Sequence, residues 1–291
     1  MMSPLMVGCL WLVAGCWYKP LSTIHQDSYN TPMFEQDRVL TRLQQRVMAD
    51  QEIVVCFLSG SYGRRQEDAY SDLDVALVFA DGMAREAAWR RRREFVQSVT
   101  PYVPAKSFDA DHVRPYLRNA LYSNGTKVDY RYETLDSLTP NPQDRDIRII
   151  KDRDGWAEQY QQACAGAILP QPRLTAAELK ALDDRFWVRY WNALRRLLRG
   201  DYDTPFTGYL GLLNFILPPF LEVLPPEEPA RQALINVFYN HDTGETAVHM
   251  RHLLENYLAA RAAVIRRLQL DFQPDARFEA DIQRLVQSKT R

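Results

Sequence analysis

Two carboxylates one residue apart, Asp72 and Asp74, open the otherwise apolar run Ser71-Asp72-Leu73-Asp74-Val75-Ala76-Leu77-Val78-Phe79. On an extended strand, positions i and i+2 project to the same face, so these two acids stand side by side. Like charges held that close raise each other's pKa, and a strand entering a core needs something to offset them. A divalent cation does so: Mg²⁺ takes oxygen ligands, one or two of them carboxylates, and fills its shell with water and substrate phosphates. Upstream, Leu58-Ser59-Gly60-Ser61-Tyr62-Gly63-Arg64-Arg65 ends an apolar run in a glycine-flanked turn. Glycines let backbone N–H groups approach a phosphate, the Ser61 hydroxyl adds a donor, and Arg64 and Arg65 bring charge for a polyphosphate. Asp129, in Lys127-Val128-Asp129-Tyr130-Arg131-Tyr132, is the natural third acid. If its strand lies beside Asp72 and Asp74, the three carboxylates hold one or two metals, and Asp129 is either a ligand or the acceptor of a hydroxyl proton.

Each feature has a plainer reading. Asp72 can cap a turn while Asp74 is solvated. Asp129 can be an edge-strand acid opposite Arg131 or Lys127. Arg64 and Arg65 can be surface residues at a helix start, and the glycine turn is no Walker loop, because no Gly-Lys-Ser/Thr follows it. The basic run 90–93, with Glu86 and Glu94 nearby, reads as a solvated helix face. His249 and His252 complete no metal set.

Gly60-Ser61, a spacer, Asp72-x-Asp74 and a later strand acid together resemble the DNA-polymerase-β-like nucleotidyltransferase superfamily. Phe186-Trp187, Leu198-Arg199-Gly200-Asp201-Tyr202 and the strand-turn 147–155 are similar to its aminoglycoside and lincosamide nucleotidyltransferase branch. The likeness spans residues 34–268. It implies transfer of a nucleoside monophosphate, from ATP, onto a hydroxyl of a small molecule, with Asp72 and Asp74 as Mg²⁺ ligands and Asp129 as ligand or base. The third acid of that family is often Glu, so Asp129 is a shorter substitute, and Glu178 or Glu245 is an alternative base. Two other readings of the same residues are transfer of AMP onto a protein, and a catalytically silent nucleotide-binding regulator.

The elements that must position these groups can be read from periodicity. Apolar residues at 39, 40, 43, 47 and 48 give a helix over 34–50. Residues 53–58 form a continuous apolar, β-branched run, as in a strand buried on both faces. Further strands are expected at 72–79, 126–132 and 147–151, with an Arg-rich helix at 84–99 between them. After Pro170 and Pro172 the pattern becomes helical. Thr175-Ala176-Ala177-Glu178 is a capping-box signature for a helix running to Arg199, where Gly200 stops it. Helices follow at 204–224, 228–239, 245–268 and 278–286. The fold expected is α/β (α+β): a small mixed-sheet catalytic domain at 33–165, then an all-helical substrate-binding domain at 173–291.

Composition excludes several classes. With 46% hydrophobic and 25% charged residues the chain has the makings of a globular core. A net charge of -1 supplies no field for nucleic acid or an anionic membrane. Cys9, Cys16, Cys56 and Cys164 lack paired spacing, so neither a zinc site nor a disulfide framework is expected. Residues 1–32 are expected to be a tail outside the folded domains. Its uncharged start and Leu12-Val13-Ala14-Gly15-Cys16 resemble a lipoprotein signal, but no Lys or Arg precedes the apolar run, and Met33 is a sensible alternative start. A nucleotide-using enzyme is expected in the cytoplasm. The chain is expected to be a monomer or homodimer, in the latter case through the apolar stretch 211–224.

Overall fold

A computed structural model describes residues 34–168, 173–201, 203–236 and 243–289. Contacts divide these residues into two compact units, one containing 34–168 and 250–289 and the other 173–249. The protein is α/β: a six-stranded mixed sheet with helices, followed by a helical region.

The first unit begins with α1 (Glu35–Ala49), whose Val39, Leu40, Leu43 and Val47 form one buried stripe. β1 (Ile53–Ser59) runs into α2 (Gly60–Arg64), and β2 (Leu73–Phe79) returns antiparallel to β1. Next come α3 (Gly82–Arg90), α4 (Arg92–Val99), β3 (Ala105–Asp109), β4 (Leu117–Tyr122) and β5 (Lys127–Thr134). A 3₁₀ turn at Pro142–Asp144, β6 (Arg148–Asp152) and α5 (Trp156–Ala165) complete the unit. The strand order is β3-β4-β5-β2-β1-β6. Only β2 and β5 pair in parallel; their neighbours are antiparallel. The central β1 is buried at every residue, as a strand covered on both faces must be. One face, with Leu58, Leu73, Val75, Leu77 and Tyr130, packs against α1 and α4. The other, with Phe57, Ala76 and Val78, packs against α5.

Several elements depart from the periodicity. The helix expected at 84–99 starts earlier, because the Asp81 side chain accepts from the backbone N–H groups of Met83 and Ala84, and it breaks at Arg91 into α3 and α4. Strands β3 and β4 escape a pattern search. In β4 the charged Arg118 is buried, 3% exposed, against Asp109 of β3 at 2.6 Å. Arg92, inside the basic run, clamps the same carboxylate at 2.7 and 2.6 Å. That part of the run is therefore structural, and the two guanidinium groups hold the Asp109 carboxyl down to about 2, Arg92 chiefly. Cys56 and Cys164 are free and buried, and burial pushes the Cys56 thiol well above its usual range.

In the second unit, α6 (Ala176–Leu197) carries the capping box: Thr175 N–H donates to Glu178 Oε2 at 2.8 Å and Glu178 N–H to Thr175 Oγ1 at 3.2 Å. Then come α7 (Asp203–Phe215), α8 (Pro218–Val223), α9 (Pro229–Asn236) and the start of α10 (Thr243–Leu268). The single helix expected at 204–224 is split, because Pro218 and Pro219 lack the N–H groups that would continue α7. Among the described residues, one stretch, Phe206–Val223, is long and apolar enough to cross a membrane by length and composition alone. The break before Pro218 interrupts its backbone hydrogen bonding, which a bilayer penalises.

Residues 250–289 group with the sheet, whereas the sequence places all of 173–291 in one helical domain. The reason lies in α11 (Ala276–Lys289). Ser123 Oγ donates to Asp281 Oδ2 at 2.9 Å, Arg277 donates to the Tyr102 carbonyl at 2.9 Å, and Phe278 is buried. Gly125, at φ +90°, comes so close to Leu285 that a Cβ there would lie 2.5 Å from a leucine methyl carbon. The tail at 1–32 lies outside the described residues, as do Cys9 and Cys16.

Leu43 is fully buried in the stripe that seats α1 on the sheet. Leu43→Ala is expected to destabilise the protein by about 2–5 kcal/mol, as a core cavity does, measured as a lowered denaturant midpoint at unchanged slope.

Candidate metal centre

The parallel pairing of β2 with β5 brings the acids together. In its register Asp74 is opposite Asp129, while β1 places Ser59 opposite Asp74 and β4 places Asn119 opposite Asp129. Four residues, Ser59, Asp74, Asp129 and Asn119, therefore cross four strands in one row on the face that packs against α5. Asp74 is the one residue of β2 that is half-buried rather than fully buried. Asp72 lies just before β2 rather than within it, and the loop that delivers it is tied down. The side-chain amide of the buried Gln36 donates to the carbonyls of Ala69 and Ser71, each at 3.0 Å. Asp68 accepts from Tyr70 N–H at 2.8 Å, and its own N–H donates to Ser71 Oγ at 2.9 Å. Asp72, Asp74 and Asp129 each offer an oxygen, and these atoms lie within 4.8 Å of one another.

The surroundings answer that concentration of negative charge. Lys127 Nζ donates to Asp72 Oδ2 at 2.8 Å and to Asp129 Oδ2 at 2.7 Å. Burial alone would lower the Lys127 pKa, but its two carboxylate partners outweigh burial and raise it. The Asn119 amide donates to the other oxygen of Asp129. Deeper on the same face, Arg131 pairs with Asp144 at 3.1 and 3.2 Å and reaches Ser59 Oγ at 3.3 Å. Asp144 also accepts from the Tyr160 hydroxyl of α5 at 2.8 Å. Asp74 remains the uncompensated member. Its pKa is raised to about 6, by burial first and then by Asp72 and Asp129, with Arg131 and Lys127 pulling against them.

The donor set suits Mg²⁺. Oxygens on opposite sides of an octahedral Mg²⁺ are about 4.2 Å apart, twice a bond of about 2.1 Å, so three oxygens within 4.8 Å need only small side-chain rotations. A second fit is steric. Gly60 has φ +63°, and a Cβ there would lie 2.1 Å from Asp74 Oδ2, so the carboxylate rests in a hollow that only glycine leaves open. Gly63 is tight for another reason: its Cβ would meet the carbonyl oxygens of Asp146 and Leu58 at 2.5 and 2.9 Å.

Of the other residues singled out in sequence, Ser61 is half-buried in α2, beside the hollow. Arg64 and Arg65 are exposed; Arg64 bonds the Gln66 side chain at 3.4 Å, and Arg65 caps α2 in a left-handed conformation. Glu178 is engaged as the cap of α6. Sequence reasoning passed over Ser59, Asn119 and Gln36, and it weighed Lys127 and Arg131 only as charge partners of Asp129 in the plainer, edge-strand reading. Their positions two residues either side of Asp129 are the one signal that places them on its face. A cavity of about 200 Å³ lined by Leu77, Phe79 and Tyr132 lies on the opposite face of the sheet and does not include the acids.

Neither a protein-family model nor a curated protein matches the chain.

Ionised Asp74 costs the metal-free fold about 3 kcal/mol, the equivalent of a rise from 3.8 to about 6. Because the folded pKa is the higher one, this cost is absent below pH ~4, grows between pH ~4 and ~6 and is complete above that. Metal-free stability is therefore expected to fall over that window, and the affinity for Mn²⁺ as a probe ion, which would need the carboxylate ionised, is expected to be about tenfold weaker at pH 5 than at pH 7. Denaturation and calorimetry at those pH values check both signs. Gly60→Ala should push the Asp74 carboxylate out of its hollow and cost about 1–3 kcal/mol of stability from backbone strain, with loss of Mn²⁺ binding in the same titration.

Proposed function

We propose that this protein is a Mg²⁺-dependent nucleotidyltransferase that moves a nucleoside monophosphate, AMP from ATP, onto a hydroxyl of a small molecule. The observation that carries the reading is the meeting of Asp72, Asp74 and Asp129 on one face beside the Gly60 hollow. The donor set is all carboxylate, which selects a hard cation over zinc or copper.

Asp72 and Asp74 would hold the ion, with Asp129 as a further ligand. When bound, Mg²⁺ supplies charge neutralisation at the α-phosphate and fixes its orientation. The chain's own groups do the rest. Backbone N–H groups at Gly60 and Ser61, with the Ser61 hydroxyl, would hold the β- and γ-phosphates. Asp129, kept oriented by Asn119, would take the proton of the acceptor hydroxyl as its oxygen attacks the α-phosphorus. The new bond joins the acceptor oxygen to phosphorus, and the bond from that phosphorus to the bridging oxygen breaks, so pyrophosphate leaves with the electron pair. Arg131, paired with Asp144, would remain behind the site as a fixed positive charge. ATP as donor favours a cytoplasmic location. The acceptor class proposed is an aminoglycoside or lincosamide.

Asp72→Asn and Asp74→Asn are expected to fold and to lose about a thousandfold or more in turnover, the equivalent of several kcal/mol of lost transition-state stabilisation. Calorimetry with a non-hydrolysable ATP analogue, with and without Mg²⁺, comes first. Mg²⁺-dependent binding that Asp72→Asn abolishes supports the reading and justifies an acceptor screen. Failure to bind any nucleoside triphosphate, or wild-type turnover in either variant, would sink it.

A further inference from the structure

Lys127 stands where a cation belongs. Its ammonium joins the two outer acids, using Oδ2 of Asp72 and Oδ2 of Asp129. An ammonium and a divalent ion cannot both occupy the space between those oxygens, so one must displace the other. The surroundings are built for an exchange rather than a permanent bond. Asn119 holds the other oxygen of Asp129, so that acid stays in place when the lysine leaves. Lys127 is the first residue of β5, its side chain is 47% exposed, and a four-carbon stem lets the head move without moving the strand. Lys127 and Asp129 are i and i+2 on one strand, so a displaced ammonium remains beside the acid cluster. The charges agree. Three carboxylates face one lysine; replacing it with a divalent ion leaves the cluster nearer neutrality and frees a cation at its rim, where a triphosphate would need one.

We propose that Lys127 is a displaceable counter-ion: it bridges Asp72 and Asp129 in the metal-free protein, is expelled by the divalent cation, and then pairs with the phosphates of the incoming nucleotide. The proposal rests on the metal-binding reading above and adds to it a residue that changes partner during loading.

The two roles predict opposite signs for a single substitution. Removing the ammonium removes a competitor for the metal and also removes a partner for the phosphate. Lys127→Met is expected to bind Mn²⁺ alone about tenfold more tightly than wild type, and to bind a non-hydrolysable ATP analogue at saturating Mn²⁺ about tenfold more weakly. Both are read by calorimetry, and Lys127→Gln should behave the same way. The metal-free melting temperature of either variant should drop, since the acids lose their one mobile cation, and Mn²⁺ should restore it. Unchanged or weakened Mn²⁺ binding, or metal and nucleotide affinities moving in the same direction, overturns the exchange while leaving the metal site standing. A wild-type protein that binds no Mn²⁺ overturns both.

Discussion

The lateral pairing of Asp74 with Asp129 on two adjacent parallel strands is the constraint around which the first unit is arranged. Register on a sheet is discrete, and a slip of one residue would send each side chain to the opposite face. The register observed keeps Leu73, Val75 and Leu77 in the core with Val128, Tyr130 and Tyr132. It therefore forces the two aspartates side by side on the other face. Burial of one large apolar face thus fixes an electrostatically unfavourable pair on the other. Hydrophobic burial supplies enough free energy to impose a local cost of a few kcal/mol.

Several features of the unit answer that pair. Gly60 withdraws its side chain altogether so that Asp74 has room. Lys127 and Asn119 take separate oxygens of Asp129. Arg131, with its own charge met by Asp144, adds positive potential from below, and Asp144 in turn accepts from Tyr160 of α5. The helix that closes the face is therefore linked by hydrogen bonds to the same polar network. Gln36 and Asp68 settle the loop that brings in Asp72, and Tyr62 of α2 donates to Asp37 of α1 at 2.9 Å. Three carboxylates lie together against the one ammonium of Lys127, and that geometry underlies both the proposed metal chemistry and the proposed exchange of Lys127.

The second unit presents a contrasting balance. Its long helix α6 is well started by its capping box, yet Trp187 and Trp191 are each 60% exposed. Only Leu182, Leu212 and Ile216 among its described hydrophobic residues are buried. Helix formation here follows local signals, caps and propensity, whereas the sheet unit depends on burial between distant segments.

The sequence alone determined whatever rests on local chemistry or on runs that are apolar on both faces. The α/β class, α1, the strands β1, β2, β5 and β6, and the Thr175–Glu178 cap are of this kind: burial of β1 on both faces writes itself as an unbroken apolar run, β5 alternates, and α1 and the cap follow helical spacing and local capping chemistry. The types and spacing of Asp72, Asp74 and Asp129 were equally legible. Tertiary structure decided the rest. Strand β4 carries Arg118 and Asn119, residues no apolar pattern predicts; the first is paired with Asp109 of β3 and the second is directed at Asp129 of β5, so both partners come from other strands. The loop placement of Asp72 depends on Gln36, more than thirty residues upstream, whose amide meets two carbonyls there. The grouping of α11 with the sheet depends on Ser123, Gly125 and Tyr102. Each of these outcomes comes from a pairing between residues far apart in the chain. A one-dimensional pattern records what a residue is and what stands beside it, but the partner that makes a buried charge or an in-register acid tolerable is chosen only when the strands pair.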